Sequence, residues 1–476
     1  MLLNTLWRIQ RKIPVLRARM SLKPHPTDGM YESTFTYHNL PAGRIPMQTR
    51  HKTYDFELTD VPAYQPEELA PPEESLMSRV HFYYTLGQVD ALEFWSKQAG
   101  GWNKSIESFI GKVDAGVARP LLGKDPMETL HNIYAKVQSF KNHSFEDSSA
   151  DEKKNASDVI AKAEGYRDEI NRAFVALVRA AGLEANVVRV APRDRFFFSA
   201  NVLDAEQMDG EIAVVTIDGQ THSFDPGTPT APFGLVSWEK SNVPGVRIAK
   251  GAKPVFSTWA NQKPEQAVMR RSADLRLNGD LLEGTVTATF TGQEALVRRL
   301  RTWGDKDAER TKQLEDEAKE WFPPGSTVKL LQVTGTTSHA EPLAAKFDVT
   351  LANVVSAAGT RTVLPISVFS SSAKNPFSSA TRTFPIYFKF SRRHEDDVKI
   401  TLPESLTLAE LPEPAKLDAG ALQYRNDIRQ NGNAITFTRS MSVDTMLVEQ
   451  QYYAPVRNFF SSMVAADQKP LLLTSR

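Results

Sequence analysis

The stretch from Glu164 to Pro226 constrains the fold more than any other part of the chain. Ile170, Ala173, Phe174, Leu177, Val178 and Ala181 recur at the spacing of one helix face. They predict a helix over 169–181 with an apolar stripe wide enough to bury on one side. Gly182 follows as a left-handed stop. Asn186 to Val190 reads as a short strand. Residues 211–217 and 220–224 read as two strands joined by Asp218-Gly219, the residue pair that a type I′ hairpin turn demands. The hairpin ends in Phe224-Asp225-Pro226. A buried helix facing a sheet that carries Asp225 makes this an α+β core.

The flanks read as β structure. Before the core, residues 7–22 form a strand-rich stretch broken by Pro14. Residues 47–58 alternate loosely, and Arg79 to Thr85 is a strand by its aromatic content. So few strands fall short of the roughly seven in a full sandwich. Residues 1–86 therefore read as a partial N-terminal β-sandwich domain in a chain that starts midway through it, or as a small β layer on the next domain. From Gly87 the composition turns helical. Trp102, Ile106, Phe109, Ile110 and Val113 share a face. Asp125-Pro126 with Glu128 has the cap, first-turn proline and reciprocal glutamate of a helix start. A polar loop over 146–155 is expected to be exposed and mobile. The core is expected to span 87–263, its end an irregular connector from Gly227 to about Pro264. Residues 264–476 then read as a C-terminal β-sandwich: a hairpin turning at Asn278-Gly279, a helical pair over 293–303 and 307–321, and strands over 327–333, 346–351, 361–369, 383–390, 398–402, 434–438 and 470–473. Lys389 to Asp397 reads as a charged, solvated turn.

Composition removes several functions. Lys+Arg and Asp+Glu both number 57, so the basic excess of a nucleic-acid or anionic-membrane binder is missing. There is no cysteine, which excludes disulfides, thiolate catalysis and cysteine metal sites without fixing the compartment. No histidine pair has ligand spacing, so no metal or other cofactor is expected. No apolar run approaches the ~18 residues of a spanning helix. The N-terminus lacks a signal peptide's unbroken apolar segment, so the sequence reads as soluble and without an export signal of its own.

Gly165-Tyr-Arg-Asp-Glu169, Val178-Arg-Ala-Ala-Gly182, Phe224-Asp-Pro-Gly-Thr228 and Pro232-Phe-Gly234 together resemble the transglutaminase-like, papain-superfamily core found in bacterial proteins between two β domains of unknown function. The flanks agree: Asp60 to Glu68 and Arg79 to Thr85 resemble the tail of the family's N-terminal domain, and Tyr452 to Leu473 the end of its C-terminal one. The resemblance implies a catalytic cysteine at the helix start, a histidine on the next strand and an aspartate after it. Here those positions fall on Arg167, on Gly210 or a neighbour, and on Asp225. Glu169-Ile170-Asn171 matches a subset of the family that also lacks the cysteine. The resemblance further implies an exported or periplasmic parent protein of the cell envelope.

A helix N-terminus lowers a thiol pKa and disfavours a cation by roughly 0.3–1 kcal/mol. Arg167 reverses that arrangement, and a guanidinium stays protonated, so it serves neither as nucleophile nor as base. Thioester acyl transfer is then closed to this core. The reading is a non-catalytic scaffold, or a peptide- or protein-binding module, with Tyr166, Arg167, Glu169, Asn171, His222 and Asp225 as binding candidates. Arg167 could instead be a solvated residue paired with Asp168 or Glu184, while Glu169 and Asn171 could simply cap and pack. The alternative function is a hydrolase or acyltransferase with a relocated site, using Ser199 or Ser223 with His222. His222 and Asp225 stand three apart, an odd offset that turns them to opposite faces of a regular strand.

Overall fold

The computed structural model describes residues 5–25, 31–40, 47–50, 53–87, 89–146, 149–248, 255–358, 361–365, 367–370 and 373–475. Parts of the expected 47–58 and 361–369 strands and of the 146–155 loop lie outside them. The architecture is α+β.

The helix Arg167–Ala180 is the centre of the core, and Phe174, Val175 and Val178 are fully buried. Burial of each such side chain contributes roughly 1.5–3 kcal/mol. Three more helices, Ala91–Ile110, Pro126–Gln138 and Ala156–Lys162, share its apolar cluster. Asp125 caps the second of them, accepting the Glu128 amide at 2.8 Å. The first ends at Ile110 and leaves Val113 outside. The central helix stops as expected: Gly182 has φ +87°, and the amides of Gly182 and Leu183 bond back to Arg179 and Val178.

On its other side lies a five-stranded antiparallel sheet in the order Gln220–Phe224, Gly210–Ile217, Glu184–Val190, Val243–Ile248 and Val255–Trp259. Asp218 and Gly219 both have positive φ, as the hairpin turn requires. The Gly210–Ile217 strand is buried on both faces. Ala213 and Val215 join the helical cluster, while Ile212 and Val214 join a second one with Val188, Val190 and Val243. The stretch expected to be an irregular connector supplies the last two strands. Gly245 makes the pairing possible, because a Cβ there would lie 2.8 Å from the Arg189 carbonyl oxygen.

The described N-terminal strands form two three-stranded sheets. They close over Ile9, Phe56, Leu58, Val61 and Val80. In the C-terminal part, an eight-stranded sheet and a four-stranded sheet share one core. The strands Val268–Asn278 and Arg392–Thr401 pair in parallel. The helices Gly292–Arg301 and Asp307–Lys319 are inserted between strands Leu281–Phe290 and Thr327–Thr334. Three expectations fail here. The strand expected over 361–369 ends at Pro365, and residues 368–370 form a turn. Only Ile386–Tyr387 of 383–390 is a strand. The charged run expected as a solvated turn lies largely on the Arg392–Thr401 strand, and its Asp396 is 3% exposed. Arg271 donates to Asp396 at 2.8 Å, and Arg439 bridges it to the buried Asp467. Paired charges of opposite sign made this burial possible. Among the described residues no helix is long and apolar enough to cross a membrane.

Candidate functional site

The start of the central helix, the Gly210 end of its strand and the loop after Phe224 converge. Arg167 is the first helical residue. The loop passes directly over it: a Cβ on Gly227 would lie 2.1 Å from the Arg167 carbonyl oxygen. Asn171 locks the crossing, its amide donating to the Glu211 carbonyl at 2.9 Å and its oxygen accepting the Gly227 amide at 2.8 Å. Asn142 and Gln138 hold the loop from the other side through the carbonyls of Gly227, Pro226 and Thr228.

Asp225 is fully buried. One carboxylate oxygen accepts the Lys240 ammonium at 2.5 Å, and the other accepts the hydroxyls of Thr228 at 2.7 Å and Ser237 at 2.8 Å. Burial alone would raise this carboxyl. The ammonium and the two hydroxyls outweigh it and hold Asp225 below its ordinary pKa. Lys240 is itself 2% exposed. Its stem runs past Gly210, where an added Cβ would meet Pro192 Cγ at 2.8 Å and Lys240 Cδ at 3.4 Å. Lysine thus fills space beside position 210, and its charge neutralises Asp225.

The Arg167 side chain turns outward, 44% exposed, with Asp168 at 3.8 Å. Asp168 is more buried, at 27% exposed. One of its carboxylate oxygens is enclosed without a hydrogen bond. Burial, followed by repulsion from Glu211, pushes its pKa up to about 6. Glu211 is completely buried and takes a bidentate bond from Arg172 and a third from Arg189. Those guanidiniums lie over the rings of Phe109 and Trp102. Charge here is dense, and nearly all of it is internally compensated.

The other sequence candidates fall as follows. The Tyr166 hydroxyl donates to the Ala150 carbonyl at 2.7 Å. Glu169 accepts the Tyr166 amide at 2.8 Å and the Lys153 amide at 2.6 Å. Both residues therefore tie the preceding polar loop, expected to be free, onto the helix mouth. His222 lines an open groove of about 400 Å³ with Ser223, Trp259 and Gln262. Ser199 lines a different cavity. Among the described residues no hydrogen bond joins His222 to Ser199, Ser223 or Asp225, and no cluster of three or more His, Asp or Glu could hold a metal. Sequence reasoning missed Lys240, Ser237 and Glu211, and named Asp168 only as a partner for Arg167, which it approaches at 3.8 Å. Only Thr228 carried a local signal, as part of Asp225-Pro-Gly-Thr228.

The fold class defined by this geometry is a transglutaminase-like α+β core between β units. The particular likenesses are distant. A solved structure from Parabacteroides distasonis, described as a "putative protease", matches with a TM-score of 0.55 and 13% identity over 100% of this chain and 75% of its own. A "putative cysteine protease" from Cytophaga hutchinsonii matches with a TM-score of 0.20 and 12% identity over 54% of this chain and 84% of its own. Residues 360–473 match a domain of unknown function with a solved structure, DUF3858. No curated protein matches the chain. At these identities the likeness to solved structures concerns fold alone.

Proposed function

We propose that this chain is a non-catalytic binding or scaffold protein built on an acyltransferase frame, acting on peptide or protein partners in the bacterial cell envelope. The observation that supports this reading is the Lys240–Asp225 pair. In a thiol acyltransferase the buried carboxylate orients an imidazole, which in turn serves a thiolate. Here the carboxylate is neutralised by a buried ammonium, glycine stands at position 210, and the helix opens on an outward guanidinium. A salt-bridged ammonium offers no lone pair to take a proton. An exported or periplasmic location belongs to the same proposal.

The test is an amine-transfer and peptide-hydrolysis assay on the purified chain, run beside Asp168→Asn. The expected outcome is no turnover above a heat-denatured control. Turnover that co-purifies with the protein and is lost in the variant would overturn the proposal.

A further inference from the structure

The five-stranded sheet of the core does not close. Its outermost strands are Gln220–Phe224 and Val255–Trp259. Thr221, His222 and Ser223 of the first strand line the same open groove of about 400 Å³ as Thr258 and Trp259 of the second. The sheet therefore curls until its two edges face each other, and the groove is the gap between them.

The hairpin fixes which backbone groups face that gap. Ile217 and Gln220 flank the two-residue turn and pair in register, as do Val215 and His222. A two-residue turn is closed by a hydrogen-bonded pair, and bonded and non-bonded pairs then alternate along the ladder. His222 thus turns its amide and carbonyl to Val215. Those of Thr221 and Ser223 point away from the sheet, repeating at about 6.8 Å along the strand. Among the described residues no hydrogen bond reaches them. Proteins ordinarily blunt such an edge with a charge, a proline or a bulge. This strand contains no lysine, arginine, carboxylate or proline, and its register is unbroken.

The groove walls suit a neutral strand. No Asp, Glu, Lys or Arg lines them. Ser223 pairs with Val214, and opposite residues of a pair share a face. On that face Val214 and Val236 form an apolar cluster against which Trp259 packs. A segment laid along the edge would turn every second side chain towards Trp259 and Val236. In such strand addition the main chain supplies affinity and the alternate side chains supply specificity.

We propose that an extended peptide segment with uncharged side chains binds in this groove as an added strand, its backbone hydrogen-bonded to Thr221 and Ser223 and an apolar side chain against Trp259. This rests on the reading of the chain as a peptide-binding protein and gives that reading a site.

Calorimetric titration of the full chain with acetyl-Val-Thr-Val-Thr-Val amide tests it, beside the fully N-methylated analogue and the neutral trisaccharide maltotriose. The capped peptide is expected to bind, with at least a ten-fold loss in the analogue, which keeps the side chains and loses every backbone donor. Ser223→Pro removes an outward amide and none that pairs with the neighbouring strand, and is expected to weaken binding at least ten-fold; the analogue decides the question if this variant does not fold. Equal binding of peptide and analogue, undiminished binding by folded Ser223→Pro, or no binding at millimolar peptide would overturn the proposal. Tighter binding of maltotriose would overturn the peptide assignment, as would self-association of the chain that Ser223→Pro abolishes. Mass spectrometry of the same mixtures keeps the two readings apart: cleaved peptide would overturn the non-catalytic reading, whereas intact peptide bound equally well after both changes would overturn the groove alone.

Discussion

Replacing Lys240 by methionine tests the buried Lys240–Asp225 pair through stability. Methionine keeps most of the stem's volume and removes the charge. Asp225 is then left fully buried with two hydroxyl donors and no counter-ion. Removing one partner of a buried ion pair costs about 3–5 kcal/mol; the surviving hydroxyl bonds place this case near the lower end, at about 3 kcal/mol. Adding Asp225→Asn removes the stranded charge, so the double variant is expected to recover about half of that loss. The pH dependence should also invert. In the native protein Asp225 titrates below its ordinary value, so its contribution is present above the ordinary carboxylate pKa and is lost as pH falls through the folded one. In Lys240→Met burial dominates and raises the carboxyl. The variant should then regain stability on mild acidification and lose it as pH rises through the raised value. Urea unfolding of the core at pH 5 and pH 8 reads both effects. A loss below about 1 kcal/mol, the range of an exposed pair, or a fall in stability from pH 5 to pH 8 no steeper than that of the native protein would refute the reasoning.

Other perturbations follow from the same geometry. Asp168 has a folded pKa of about 6 against an ordinary 3.8, so its contribution is present below the ordinary value and is lost as pH rises through 6. Asp168→Asn should therefore stabilise the protein by about 1–2 kcal/mol at pH 8 and not at pH 3.5, as read by thermal unfolding. Gly227→Ala forces a Cβ to 2.1 Å from the Arg167 carbonyl oxygen and should cost about 1–3 kcal/mol in urea. Arg167→Cys should give a thiol that alkylating reagents modify but that hydrolyses no peptide, because position 210 supplies no imidazole; peptide cleavage by this variant would show that another base is in place.

The legible parts of the fold were those encoded locally. Asp218-Gly219 fixes its turn by backbone sterics, Asp125 reports its own cap, and the Ile170–Ala181 stripe repeats at helical spacing. The last two strands of the sheet, Val243–Ile248 and Val255–Trp259, were not legible, because Pro244 and Gly245 read as loop and the pairing with Arg189 and Val190 is distant in sequence. The helix Tyr453–Asp467 was missed as a helix, with Pro455 in its first turn, where a missing amide hydrogen costs little. The charged run around Asp396 looked solvated because its partners, Arg271 and Arg439, lie far along the chain. The site followed the same rule. Position 167 at the helix start and Asp225 after the hairpin could be counted off the sequence, whereas Lys240 sat in a stretch without periodicity. Its pairing exists only once the strand carrying Gly210 and the loop carrying Asp225 are brought together.

The proposal at the centre of this account is that a buried ion pair stands where an acyltransferase frame would hold its reactive centre. Solution NMR of the Lys240 ammonium and the Asp225 carboxyl tests this most directly. The expected result is a slowly exchanging ammonium and a carboxyl that titrates below its ordinary range. A Lys240 ammonium in rapid exchange with solvent, or an Asp225 carboxyl that titrates near neutrality, would contradict it.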